Sequence, residues 1–224
     1  MVVQGLIWNC RGLSKKGVST FLRNLILEYK LHFVGLQETM IGECEDSLLR
    51  KFDMNQDYLW LWNAFKGKSG GILVGVLIER FDVGSFKQGE FMIQMNLWDK
   101  VLRLKWNLLV VYGSAHDENN MSFLAELSHF CASNTEHMLI GGDFNIIRYL
   151  KEKNTIDGVH RHTALFNSLI HFYELRELVM NGGLFTWSNN QDPLVLEKLD
   201  RILMTKEWED IFPQAIVNKL PRAG

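Results

Sequence analysis

Acidic and amide side chains directly follow the apolar run in the segment HMLIGGDFNII, residues 137–147. The apolar run has the length of a buried strand, and the paired glycines Gly141 and Gly142 end it. We therefore expect Asp143 and Asn145 at the carboxyl end of that strand, where open α/β sheets place ligand-binding groups. The alternative is a turn in which Asp143 and Asn145 cap a following helix. The segment alone leaves both interpretations open.

Further polar residues with oxygen or amide donors lie at the ends of other predicted strands. They come from separate segments, and strand ends from separate segments can converge on one edge of a sandwich. We therefore predict one cleft. Such a set offers hard oxygen ligands but neither thiolates nor clustered histidines. These ligands suit Mg²⁺, which binds one or two carboxylates and keeps several waters, and they do not suit Zn²⁺. The predicted cleft comprises Asn9, Glu38, Tyr112, Asp143, Asn145 and Asp200.

Hydrophobic periodicity predicts an α/β fold in which strands outnumber helices. The helices fall between groups of strands, which favours two sheets packed on each other with helices on the outer faces over a doubly wound parallel sheet. Strands are expected over residues 2–8, 31–37, 58–63, 70–78, 91–98, 105–113 and 137–142. Helices are expected from Val18 to Tyr29, Met121 to Cys131 and Leu165 to Leu178. The last third of the chain is expected to alternate short strands with one helical turn.

Composition indicates one soluble globular domain over residues 1–224. The chain is 47% hydrophobic and 22% charged, and its net charge of -2 is not the basic balance of a general nucleic-acid binder. Three cysteines without paired spacing suggest reduced thiols in an intracellular compartment. Cys10 lacks an adjacent base, so packing is its expected role. The sequence shows neither a membrane span, nor a signal peptide, nor a basic import signal.

An ordered set of motifs resembles the endonuclease/exonuclease/phosphatase superfamily, the deoxyribonuclease-I-like metal-dependent phosphodiesterases. The motifs are IWNCRGL, VGLQET, VVYG, IGGDFN, FTWSN and KLDRIL, in the family's order from Ile7 to about Leu203. WNCRGL with LDRIL looks most like the endonuclease domain of LINE-type (non-LTR) retrotransposons of plants. The related abasic-site repair enzymes have an aspartate at the position of Arg11, which argues against that branch.

The resemblance implies roles for the residues around a phosphodiester. Glu38 would ligate Mg²⁺, for which Mn²⁺ is a possible substitute, with Asn9 beside it orienting metal or phosphate. Asp143 would hold or deprotonate the attacking water. Asn145 and Tyr112 would donate hydrogen bonds to phosphate oxygens as charge develops in the transition state.

The remaining roles concern a histidine and the DNA. Asp200 would orient a charge-stabilising histidine, as carboxylates fix catalytic imidazoles. Arg11, Thr186 and Trp187 would contact DNA. The alternative for Trp187 is an aromatic that fills the sandwich edge. The family's last motif, Ser-Asp-His with a closing apolar strand, is expected after NKLPR. We therefore expect a domain that lacks this terminal segment, its histidine and the last strand.

The resemblance predicts Mg²⁺-dependent hydrolysis of a DNA phosphodiester, with DNA as partner and a nuclear location if the chain derives from a retrotransposon. Two other functions stay open at this point. One is a phosphomonoesterase or phosphoinositide phosphatase, because the scaffold and site chemistry are shared. The other is a non-catalytic retrotransposon relic that keeps the fold without turnover.

Overall fold

The computed structural model describes residues 2–65, 70–133, 137–155 and 161–220. These residues form two compact units, one over residues 2–112 and one over residues 113–220. The first unit consists of β1 (Gly5–Asn9), α1 (Val18–Tyr29), β2 (Phe33–Gln37), α2 (Asp46–Leu49), β3 (Tyr58–Asn63), β4 (Ile72–Leu77), β5 (Phe81–Gln88), β6 (Met92–Asp99) and β7 (Leu104–Tyr112).

The first sheet of this unit has the strand order β1-β2-β4-β3. β1 and β2 run parallel, whereas β4 is antiparallel to both β2 and β3. The connection between the parallel strands is α1, whose apolar residues recur at helical spacing. Leu22, Leu25 and Ile26 on α1 are buried, and Phe21 packs edge-on against Trp8 with ring centroids 5.5 Å apart. α1 therefore covers one face of β1.

The opposite face of this sheet packs against the antiparallel strands β6 and β7, and β5 pairs with β6. Phe33 on β2 meets Trp106 on β7 edge-on, at a centroid distance of 5.9 Å. The two sheets approach each other closely at Gly35, where a Cβ atom would lie 2.7 Å from Val110 Cγ2 and 2.8 Å from Ile7 Cδ1. Because strand side chains alternate between faces, Asn9 lies on the same face of β1 as Ile7.

The second unit begins with a 3-10 turn at Asp117–Asn119 and has a second such turn at Leu150–Glu152. Its other elements are α3 (Asn120–Ala132), β8 (Met138–Asp143), α4 (Thr163–Phe172), β9 (Arg176–Glu177), β10 (Met180–Asn181), β11 (Trp187–Ser188), β12 (Leu196–Glu197), β13 (Asp200–Met204), α5 (Lys206–Ile211) and β14 (Val217–Asn218). β13 pairs antiparallel with β8 and β9, β11 with β12, and β10 runs parallel to β14.

The predicted two-sheet α/β architecture is confirmed, and two of the differences in single elements have a clear physical cause. The helix expected to Leu178 ends at Phe172, because Glu174 adopts a left-handed φ of 50° and the following Arg176–Glu177 pairs with β13. β5 was missed because most of its side chains are exposed and only pairing with β6 holds it as a strand. Both differences come from strand pairing, which helical periodicity does not report. Among the described residues, no helix is both long and apolar enough for a membrane span.

Each unit contains a buried arginine paired with carboxylates. In the first unit, Arg80 donates through Nε and Nη2 to Asp99 Oδ2 at 3.1 and 2.8 Å. In the second unit, Arg201 is 1% exposed and bonds to both Glu152 and Glu177. Burial raises the pKa of both of these glutamates, but the charge and hydrogen bonds of Arg201 and neighbouring donors outweigh it, so each pKa lies below its ordinary value of 4.5.

The close approach at Gly35 predicts a loss of stability in Gly35→Ala. The added methyl group would collide with Val110 and Ile7, so we expect the free energy of unfolding to fall by about 1–3 kcal/mol. Urea unfolding measures this, with Gly42→Ala as the matched control because a Cβ atom there meets only Phe65, at an ordinary 3.6 Å. Equal stability of the two variants would contradict the packing at Gly35.

The charge network predicts acid sensitivity of the second unit. Carboxylates with a lowered folded pKa contribute stability above pH 4.5, and that contribution is lost as the pH falls through the folded pKa. Urea unfolding across this range should therefore show stability falling on acidification, and less steeply in Glu152→Gln than in the wild type. Glu43→Gln, at an exposed carboxylate, is the control that should keep the wild-type slope. An unchanged slope in Glu152→Gln would refute the assignment.

Candidate functional site

In the first unit, Asn9 and Glu38 lie at the ends of the neighbouring parallel strands β1 and β2. Asn9 is the last residue of β1 and pairs in register with Gln37, and Glu38 follows directly. The two loops beyond the strands continue side by side, because the Cys10 N–H donates to the Gln37 carbonyl at 3.0 Å and the Gly12 N–H to the Glu38 carbonyl at 2.7 Å. The structure therefore brings Asn9 and Glu38 together, as the sequence predicted for these two.

Glu38 adopts a backbone conformation that non-glycine residues rarely take. Its φ is 52°, and φ of Arg11 in the adjacent loop is 50°. The turn is held from its other side, where Thr39 and Met40 donate N–H groups to the carbonyls of Gly71 at 3.2 Å and Gly70 at 3.1 Å. Such strain persists only where surrounding contacts determine it, and it is common at functional sites.

The donors at this edge fit a hard divalent cation. Glu38 and Asn9 are both partly exposed, and their side chains carry a carboxylate and an amide, of which the Asn9 Oδ1 atom is itself buried. In the part of the chain that the structure describes, no three His, Cys, Asp or Glu side chains cluster as metal ligands. Mg²⁺ needs only one or two protein carboxylates, because waters and substrate phosphates complete its shell. The donor set therefore fits a hard divalent cation that keeps several waters in its shell.

Tyr112, Arg11 and Cys10 complete the first unit's candidates. Tyr112 ends β7 and is half-buried, with its N–H donating to the Phe91 carbonyl at 2.8 Å. Arg11 is exposed. Cys10 is buried, and burial raises the pKa of its thiol to about 12. The protonated thiol is a poor nucleophile, which agrees with the packing role expected from the sequence.

In the second unit, Asp143 is buried at the end of β8 and organises the turn after it. Its Oδ1 accepts the N–H of Asn145 at 3.0 Å, and its carbonyl accepts the N–H of Gly113 at 2.7 Å. Asn145, with φ of 52°, donates from Nδ2 to the Gly113 carbonyl at 2.7 Å. The segment is therefore a strand end followed by a turn. The helix-cap alternative is wrong, because the next helical turn begins at Leu150 and is capped by Tyr149.

Gly113 permits this arrangement because it has no side chain. A Cβ atom there would lie 2.2 Å from the carbonyl oxygen of Phe144, which is a backbone atom that cannot rotate away. The close approach brings the Gly113 carbonyl to the Asn145 amide. Any larger residue at position 113 would therefore move the turn that carries Asp143 and Asn145.

Asp200 begins its strand, and this corrects the expectation that the site residues end or follow their strands. β13 runs antiparallel to β8, so the start of β13 lies beside the end of β8, and Asp200 pairs in register with Asp143. Thr186 holds this strand start, since its Oγ1 accepts the N–H groups of Leu199 at 2.9 Å and Asp200 at 3.0 Å. Thr186 thus supports Asp200 whether or not it also contacts DNA.

Trp187 is half-buried on β11, opposite Glu197 on β12. This position is compatible with either of its two expected roles, a filler of the sandwich edge or a DNA contact. The structure thus forms two groups of candidates, Asn9 with Glu38 in the first unit and Asp143, Asn145, Thr186 and Asp200 in the second. That both groups line a single cleft with Tyr112 stays a prediction.

Sequence reasoning missed the residues that support the second group, namely Arg201, Glu152 and Gly113. Arg201 had a usable signal, because an arginine between the apolar residues of LDRILM stands where strand alternation buries a side chain. Glu152, the partner of Arg201, had no such local signal, because it lies 49 positions earlier in the chain. Pairing over that distance is decided by the fold.

Comparison with solved structures shows similarity over most of the chain. The endonuclease domain of TRAS1, a telomere-specific non-LTR retrotransposon, is 14% identical, with a TM-score of 0.71 over 93% of this chain and 88% of that one. The 3′ phosphatase NExo from Neisseria, bound to a product DNA hairpin, is 13% identical, with a TM-score of 0.70 over 91% and 86%. The human Nocturnin catalytic domain is 16% identical, with a TM-score of 0.60 over 91% and 83%. At these identities the likeness shows the fold.

A search of curated proteins found no match. Residues 6–222 match the profile described as the Endonuclease/Exonuclease/phosphatase family, which is nearly the whole chain. The fold, the strand-end carboxylates and this match agree with one another. The chain belongs to the endonuclease/exonuclease/phosphatase family.

Proposed function

We propose that this protein is a divalent-metal-dependent endonuclease that nicks DNA. The observation that carries the proposal is the paired carboxylates at one sheet end, where Asp200 lies in register with Asp143 and the Asn145 turn is tied to Gly113. A buried carboxylate beside an amide at a strand end suits proton removal from water next to a phosphate. The family supports phosphodiester hydrolysis as the reaction class.

Asp143 accepts the proton of the attacking water in this proposal. It is 3% exposed, and its Oδ1 already accepts the Asn145 N–H, so its orientation is fixed before substrate arrives. Asn145 and Tyr112 donate hydrogen bonds to the phosphate oxygens as negative charge develops. Glu38 and Asn9 hold the divalent cation, for which we propose Mg²⁺ with Mn²⁺ as a substitute. When bound, the cation supplies charge stabilisation at the phosphate.

DNA is the proposed partner, with Arg11, Thr186 and Trp187 at its contacts. From the motifs WNCRGL and LDRIL we infer an origin in a plant LINE-type retrotransposon, and a nuclear location would follow from that origin. The phosphatase alternative has support of its own, because NExo, which shares the fold, is described as a 3′ phosphatase. The two reactions differ in product and are separated by two assays, plasmid nicking and phosphate release.

Incubating the purified chain with supercoiled plasmid and Mg²⁺ tests the function. We expect conversion to the nicked circle, and a loss of about 10²- to 10⁴-fold in Asp143→Asn, which weakens the base while keeping the shape. Asp210→Asn, at an exposed aspartate of α5, is the matched control and should retain wild-type nicking. Phosphate release from a 3′-phosphorylated oligonucleotide without nicking would favour the phosphatase. Silence in both assays from a folded chain would favour the relic.

The same assay decides whether a Ser-Asp-His segment completes the site. The tail at residues 221–224 lies outside the described residues. If the predicted histidine acts with Asp200, extending the chain past Gly224 with Ser-Asp-His and one apolar strand should raise nicking by about 10²- to 10⁴-fold. Equal nicking by the original and extended chains would refute that prediction.

Titration with Mn²⁺, which broadens nearby resonances, tests the metal assignment and the single cleft. We expect broadening at Asn9 and Glu38, and also at Asp143, Asn145 and Asp200 if both groups line one cleft. Glu38→Gln removes the charged ligand at constant shape and should weaken binding at least about tenfold. Glu43→Gln is the control at an exposed carboxylate in the same unit. Unchanged affinity in Glu38→Gln would show that the ligand is another residue.

A further inference from the structure

Arg201 occupies an unusual place beside the candidate site. It is the second residue of β13, directly after Asp200, and its side chain is 0% exposed. Because successive strand residues face opposite ways, Arg201 points to the sheet face opposite Asp200. Its register partner on β8 is Gly142, which has no side chain to occupy that face. The Arg201 side chain therefore fits on the sheet face behind Asp143 and Asp200.

The guanidinium of Arg201 contacts two carboxylates and two backbone carbonyls, the second being that of Ile146 at 3.4 Å. Nη1 and Nη2 donate to the two carboxylate oxygens of Glu152 at 3.0 and 2.6 Å, which is the bidentate geometry specific to arginine. Nη1 also donates to Glu177 Oε1 at 3.0 Å, and Nη2 to the Lys198 carbonyl at 2.9 Å. Lys198 is two residues before Asp200, so the guanidinium binds the backbone just before β13 begins.

Glu152 also binds the backbone segment that follows β8. Its Oε2 accepts the backbone N–H groups of Arg148 at 2.6 Å and Tyr149 at 3.2 Å, three and four residues after Asn145. Its own carbonyl accepts the N–H of Lys198 at 2.9 Å. The Arg201–Glu152 pair thus joins the segment after Asn145 to the segment before Asp200.

Stability alone gives a weak account of this pair. Burying two charges costs several kcal/mol of desolvation per ion, and apolar replacements of buried ion pairs are often neutral or stabilising. The lowered pKa values of Glu152 and Glu177 show that both are ionised at neutral pH despite their burial. The distinctive feature of the network is where its bonds end, at backbone groups that flank the candidate site residues.

We propose that Arg201 and Glu152 are positioning residues that set the relative placement of Asp143, Asn145 and Asp200. They act through the backbone rather than by binding water or phosphate. They fix the two backbone segments on which the reacting groups are mounted. The inference rests on the proposed function, because a catalytic cost follows only if those three residues carry the reaction. A displacement of about 1 Å at such a site costs about 10²-fold in rate.

Steady-state nicking of an oligonucleotide duplex by two Arg201 variants tests the catalytic consequence. Arg201→Met removes the charge, and Arg201→Lys keeps it but loses the bidentate geometry. We expect kcat to fall about 10²-fold in Arg201→Met and by less in Arg201→Lys, with KM for DNA changed less than about threefold, because the substrate contacts remain. Arg80→Met is the matched control, since Arg80 also forms a buried ion pair, with Asp99, and that pair holds the β6–β7 turn. It should lose stability while kcat of the folded fraction stays at the wild-type value.

Amide chemical shifts test the placement independently of turnover. The Asn145 N–H bonds to Asp143 and the Asp200 N–H bonds to Thr186, so both resonances report the geometry at the strand ends. We expect both to move in Arg201→Met and Glu152→Gln, and to stay in place in Arg80→Met. An inactive wild type would refute the proposed function, and the shifts alone would then decide the positioning role. Unmoved resonances, or a kcat loss that only matches the unfolded fraction, would overturn it.

Discussion

The buried guanidinium of Arg201 is the interaction on which the second unit's candidate site depends. β8 and β13 pair over only a few residues, and the chain leaves β8 through a turn rather than a helix. Backbone pairing ends one residue beyond the carboxylates, where the Phe144 N–H donates to the Leu199 carbonyl at 2.9 Å. Arg201 and Glu152 replace the missing ladder with charge-assisted bonds to the flanking backbone, which are stronger than neutral ones. Asp143 and Asp200 keep a defined separation because the Arg201 guanidinium behind them cannot move without breaking several hydrogen bonds.

Backbone strain marks the candidate residues in both units. Glu38 and Asn145, the expected metal ligand and phosphate donor, both have left-handed φ values. Glu38 is held by backbone bonds to the adjacent loop, and Asn145 by bonds to the Asp143 carboxylate and the Gly113 carbonyl. A residue of ordinary conformation would relieve the strain and point its side chain elsewhere. The strained backbone thus lowers the stability of the folded structure but sets the orientation of two side chains, which is common at functional sites. Gly113 and Gly71 allow the neighbouring backbone to approach closely enough to maintain it.

Much of the fold was readable from sequence because local patterns carry it. β3 and α1 begin and end at the predicted residues, and the apolar runs of β4, β6, β7 and β8 are buried as expected. The exceptions are elements that depend on a distant partner. β9 exists only through β13, and β5 has few buried side chains of its own, so neither has a strong local signal.

The sequence by itself determined which residue types are present for chemistry and that most of them stand at strand ends, because periodicity and glycine turns are local properties. Motif order likewise pointed to the family that the profile match establishes. Only the tertiary structure decided that Asp200 meets Asp143, since an antiparallel register sets a strand start beside another strand's end. It alone also paired Arg201 with Glu152, because long-range partners of a buried charge are chosen by the packing that excludes water from them.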